Sequence, residues 1–154
     1  MEIQSRIILF LILLGSCTPA ETPDQNITDA DHIGDIILRK GRLVEWAFNH
    51  GRMDTVLADF WKSDSATFIL NGRLLEGYSS IMNRFEQANR NKIEIEITKD
   101  KVVVLSPASA IHIASFDQRV EDSPDQIINF KGTWTTVYQK INNDWKVVNV
   151  HESF

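Results

Sequence analysis

The chain is 154 residues long, 43% apolar with four Trp, and sets 16 Lys and Arg against 21 Asp and Glu for a formal charge of −5. That length excludes a multidomain machine, the apolar content excludes a chain without a packed core, and the acidic balance leaves no electrostatic footprint for binding nucleic acid. A single Cys excludes both a disulfide framework and a cysteine-built zinc site.

Met1 to Arg6 is a short polar head, and Ile7 to Leu14 is an uninterrupted apolar run. A helix that crosses a membrane needs roughly 20 apolar residues, so this run is too short to span but has the length of a signal-peptide core. Leu14-Gly15-Ser16-Cys17 follows directly and resembles the bacterial lipobox: an aliphatic residue, two small residues that fit a peptidase cleft, then a lipid-bearing cysteine. The resemblance implies that residues 1–16 are a lipoprotein signal peptide and that Cys17 is lipidated, which anchors the chain in the bacterial cell envelope. Thr18 in place of Asp after the cysteine implies the outer membrane, facing the periplasm. Residues 17–31, rich in Thr, Pro and Asp and poor in large apolar groups, read as a lipidated Cys and flexible tether, leaving 32–154 as the folded domain.

Ile33, Ile36, Ile37, Leu43, Val44, Ala47 and Phe48 recur at helical spacing and predict a helix from about Asp31 to His50, weakened in the middle by Gly41. Gly51 ends it, and Arg52 to Trp61 predicts a second helix with Val56, Leu57, Phe60 and Trp61 inward. Ser65 to Leu70 and Arg73 to Glu76 form a hairpin about Asn71-Gly72. A third helix, capped by Ser79 or Ser80, runs to about Asn89 and buries Ile81, Met82 and Phe85. After Asn91 the period becomes two, through Ile93-Glu94-Ile95-Glu96-Ile97 and Val102 to Leu105. Ala108 to Val120, Ile127 to Ile141 and Trp145 to Phe154 are further strands. The order predicts an α+β domain with helices segregated to one face of an antiparallel sheet.

On this order, Ala47-Phe48-Asn49-His50-Gly51, Ala66-Thr67-Phe68-Ile69, the hairpin from Gly132-Thr133-Trp134 to Trp145-Lys146-Val147-Val148 and the ending His151-Glu152-Ser153 resemble the nuclear transport factor 2-like superfamily, in its SnoaL-like branch. The resemblance implies a cone, three N-terminal helices packed in the concave face of a curved antiparallel sheet. By similarity to the kinase association domains of that superfamily, Val148, Val150 and Glu152 point into the cone. The same comparison turns Trp134, Thr136 and Tyr138 inward, with Ala110, His112, Ala114 and Phe116 beside them. Trp145, Val147, Asn149 and His151 then face outward with Ile111, Ile113, Thr135 and Val137. Apolar groups on both faces call for cover, and in this superfamily the cover is a second subunit, which implies a homodimer through the outer sheet face.

These assignments surround a pocket of a few hundred cubic ångströms with the aromatic groups Trp134, Tyr138, Phe116, Trp61 and Trp46 and the polar groups His112, Thr136 and Glu152. Such a lining suits a small, largely apolar or aromatic molecule. It also suits a SnoaL-like enzyme, an isomerase, lyase or hydrolase, with His112 as acid and base and Glu152 or Tyr138 as its orienting partner. A third expectation is an association module whose cone is filled by its own side chains. Ketosteroid isomerases of this fold carry a carboxylate and a tyrosine where this chain has Leu70 and Val44, so that chemistry is not expected. The histidines His32, His50, His112 and His151 lack metal-ligand spacing, and no phosphate loop or dinucleotide fingerprint is present, so neither a metal nor a cofactor is implied.

Overall fold

A computed structural model describes residues 25–88, 92–123 and 126–154. Cys17, the apolar run and the tether before Gln25 lie outside them. Helix α1 (Gln25–Asn49) begins before the point at which the apolar stripe starts, and takes in the last part of the stretch read as tether. It is followed by α2 (Met53–Ala58), the hairpin β1 (Thr67–Leu70) and β2 (Arg73–Glu76), α3 (Tyr78–Ala88), and the long strands β3 (Lys92–Ser106), β4 (Ser109–Ser123), β5 (Gln126–Ile141) and β6 (Asp144–Ser153).

The strands form one sheet in the order β2-β1-β6-β5-β4-β3. Every neighbouring pair is antiparallel except β1 and β6, which run parallel, so the sheet is mixed where the strand pattern alone suggests an antiparallel one. The two-residue turns follow from local chemistry. Asn71 and Gly72 both have positive φ, as do Asn142 and Asn143, the backbone a tight hairpin turn demands and the residue types that tolerate it. Ser79 and Ser80 fall inside α3, because the helix already starts at Tyr78.

Helix α1 lies across β3 and β4 and protects the sheet edge that β3 would otherwise expose. Asn49 spans both hydrogen-bonding groups of Ile95, its Nδ2 donating to the carbonyl at 2.8 Å and its Oδ1 accepting from the amide at 2.6 Å. One turn earlier, Glu45 Oε1 accepts from the Ile97 amide at 2.8 Å. The core between helices and sheet contains Ile37, Val56, Phe60, Phe85, Ile95 and Tyr138.

Two bulges decide which side chains enter the cone. On β3 the pairing shifts between Ile97 and Lys99, so that Ile97 faces Phe116 while Asp100 faces Ala114 and Val102 faces His112. Residues directly opposite share a face, and the shift therefore turns Asp100 inward. On β6 the pairing passes from Asn149 opposite Val137 to Val147 opposite Tyr138, leaving Val148 as the extra residue. Strict alternation points Val148 into the cone and Val147 and Trp145 out of it. The bulge reverses this: Val147 and Trp145 are buried and Val148 is only partly so. Val150 and Glu152, beyond the bulge, keep the inward face the alternation assigns them.

Candidate functional site

The cone keeps a cavity of about 120 Å³ between α1, α3 and the concave face of the sheet. This is smaller than the few hundred cubic ångströms expected, because Val147, Phe85 and Phe60 occupy part of the interior. Its walls include Phe68, Phe85, Trp134 and Tyr138, and its polar lining groups are Arg84, His112, Gln118, Thr136 and Glu152.

His112 marks one end. Its side chain is 1% exposed and lies flat on α1 at Gly41, where a Cβ would fall 2.4 Å from the ring's Cε1. A residue that looks like a flaw in the helix is the space the ring occupies. His112 Nε2 lies 3.4 Å from Asp100 Oδ2, a long hydrogen bond, and Asp100 Oδ1 accepts from Arg42 Nη2 at 3.0 Å. Since a carboxylate can only accept, Nε2 carries the proton and Nδ1 of the neutral ring is left as an acceptor. Burial pushes the His112 pKa below its ordinary value, and the adjacent Asp100 pulls the other way. The ring is neutral at pH 7.

Glu152 marks the other end, where it lines the cavity with Leu70 and Phe154. It lies across β5 from His112, two strands or roughly 10 Å away by strand spacing alone. Burial raises its pKa to about 7, against the pull of the Arg84 guanidinium. Glu152 is thus not the orienting partner of His112; Asp100 is. Tyr138 lines the same cavity, fully buried, with its hydroxyl pKa raised by burial and by Asp59, which Lys40 holds at 2.8 Å. Thr136 stands between His112 and Val150 in one row across the sheet.

Three aromatic expectations are corrected. Phe116 is buried but stacks behind Trp134 at 4.6 Å between ring centres, supporting the wall instead of forming it. Trp61 follows Phe60 in extended chain, so when Phe60 turns inward to bridge Val147, Trp61 turns away from the cavity. Trp46 is 44% exposed and stacks on His50. It sits two residues from both Val44 and Phe48, hence on the opposite side of α1 from the face that lines the cavity. Asp100, Arg84 and Gln118 were not singled out from sequence. None of the three carries a signal of its own: Asp100 stands between Lys99 and Lys101, as a solvated strand residue would, and its inward turn depends on the bulge.

Among the described residues no group of His, Cys, Asp and Glu could hold a metal ion, and no helix is long and apolar enough to cross a membrane.

Residues 47–154 match the family described as the calcium/calmodulin dependent protein kinase II association domain. The chain belongs to that family. Its fold is that of the nuclear transport factor 2-like superfamily, and solved members lie close to this association-domain chain in structure. A nuclear transport factor 2-like protein of unknown function from Shewanella oneidensis is 21% identical, with a TM-score of 0.62 over 78% of this chain and 98% of that one. A superfamily protein from Salmonella enterica is 18% identical, with a TM-score of 0.69 over 83% and 92%. A third, from Cytophaga hutchinsonii, is 11% identical, with a TM-score of 0.64 over 77% and 95%. The comparison with curated proteins returns no match. The helices on a curved six-stranded sheet thus place the chain in a fold whose members differ in function, and the site must carry the functional argument.

Proposed function

We propose that the cone binds a small, largely apolar or aromatic molecule. The observation that carries this reading is the cavity itself: about 120 Å³ left open in an otherwise close-packed interior, with aromatic walls and few polar groups. A dry, apolar cavity of comparable size is large enough for a benzene ring. The test is a melting experiment with toluene and indole, on the native chain and on Val150→Phe, which fills the cavity from β6. A rise in Tm of a few degrees that disappears in the variant is expected. If no such compound stabilises the native chain, the reading fails.

A second reading, an acid–base enzyme of the isomerase, lyase or hydrolase type, is favoured by His112 being oriented by a carboxylate. A neutral His112 held by Asp100 can take a proton from a bound substrate, and Glu152, poised near neutrality, can return one at the far end. Turnover lost in His112→Gln with ligand binding retained would establish it.

The cell address and assembly belong to the same proposal. Lipidation of Cys17 would hold the domain on the outer membrane, and mass spectrometry of the membrane form tests this by the diacylglyceryl mass. The outer sheet face offers Val103 and Leu105, 37% and 58% exposed, beside half-buried Ile111, Ile113 and Val137, a surface suited to a second copy. Sedimentation analysis would show a dimer that Val103→Lys disrupts.

A further inference from the structure

We propose that the ligand of the cone carries a cationic amine, held by the Glu152 carboxylate against the aromatic walls around it. This rests on the reading of the cone as a small-molecule site and names the class of molecule it takes.

The Glu152 carboxyl is largely withdrawn from water and has no hydrogen-bond or ion-pair partner among the described residues, while its backbone carbonyl accepts from the Asn71 amide at 3.1 Å. Other inward or half-buried carboxylates are matched: Asp100 by Arg42 and His112, Asp59 by Lys40, Glu45 by the Ile97 amide. A carboxylate facing an apolar cavity without a cation or donors costs free energy, and a ligand that supplies both removes that cost.

The surroundings favour a cation in particular. Glu152 stands directly across from Trp134 and beside Leu70, with Phe68 two residues before Leu70 on the same face of β1. Phe68, Phe85, Trp134 and Phe154 line the same space, and the electron-rich faces of aromatic rings attract an ammonium group. A second buried acceptor, Gln118 Oε1, also lacks a partner among the described residues and belongs to the same lining. By register Gln118 stands two strands over and four residues along from Glu152, so each is an unfilled acceptor of the lining in its own right, and an ammonium group, which is donor only, answers the one at Glu152. The charged or titratable groups that share the cavity are Arg84 on α3, His112 on β4 and Tyr138 on β5. Arg84 draws Glu152 toward its ionised form without closing into an ion pair, so the contact is left for the ligand.

Calorimetric titration of the full chain with benzylamine and with benzyl alcohol, at about pH 8 where Glu152 is ionised and benzylamine still protonated, separates the possibilities. Benzylamine should bind about tenfold or more tightly than the alcohol, and Glu152→Gln should remove that difference while leaving the alcohol's affinity in place, which also shows the variant folded. Benzylamine binding should release protons below that pH, read from buffers of different ionisation enthalpy. Equal affinity for the two probes, or a preference that survives Glu152→Gln, would overturn the ammonium assignment and leave the cone reading standing. If neither probe binds, the cone reading falls and this proposal with it.

Discussion

The two ends of the cone each present one titratable side chain from the same face of one sheet, yet the protein treats them in opposite ways. At the His112 end the ring is enclosed by the backbone of α1, a carboxylate and, through it, an arginine that reaches the surface. At the Glu152 end the side chain meets apolar and aromatic groups and finds no partner among the described residues. A polar group that the fold has satisfied contributes to the fold, whereas one the fold has left unsatisfied is paid for by a ligand or by lost stability.

The contrast has opposite pH signatures. Glu152 has a folded pKa of about 7 against an ordinary 4.5, so the unfolded chain ionises first and stability falls as pH rises through that window. His112 is lowered from 6.5, so the unfolded chain takes up a proton first and stability falls as pH drops below about 6.5. The largest expected effect follows from the first: Glu152→Gln should raise stability at about pH 8 by as much as about 3 kcal/mol and change little below about pH 4.5. Urea unfolding at the two pH values measures it; a variant equally stable relative to native at both would show that Glu152 is already satisfied, and the comparison would collapse.

Gly41→Ala tests the other end. In an ordinary helix this change gains up to about 1 kcal/mol, but here the new methyl meets the His112 ring, which is boxed in, and a cost of about 1–3 kcal/mol is expected. In a His112→Ala background the cost should vanish or reverse, and a double-mutant cycle by thermal unfolding reads the coupling. Additivity would mean that the ring has room to move. The smallest effect belongs to Trp46→Ala, on the far side of α1. Stability should change by less than about 1 kcal/mol, with affinity for benzyl alcohol unaltered. A weakened affinity would return Trp46 to the site.

Much of this was legible in the residues. The helical stripe through Ile37, Val44, Ala47 and Phe48 and the alternation of Ala110, His112, Ala114 and Phe116 each report which residues share a face, because helix and strand periods are local geometry, although Leu43, read into the same stripe, is 44% exposed. The same local rule misassigned Val147 and Val148, since one extra residue on β6 inverts everything on one side of it. Trp46 could have been excluded by its angle on α1, two residues from the inward positions on either side. Trp61 could not, because its direction depends on how the end of α2 meets β6.

By itself, then, the sequence determined the order of elements, the turns at Asn71-Gly72 and Asn142-Asn143, and which residues of β4 and β5 share a face, while the side that turns inward came from the resemblance to a family. These follow from backbone preferences and hydrophobic period within a few residues of each position. Only the tertiary structure decided that Asp100 turns to His112, that Gly41 is the seat of a ring, and that a cavity of about 120 Å³ remains, lined by a Glu152 carboxyl without a partner among the described residues. A bulge is a property of two strands in register, and a cavity is the small difference between the volume a backbone encloses and the volume its side chains fill. Neither quantity is carried by any single stretch of chain.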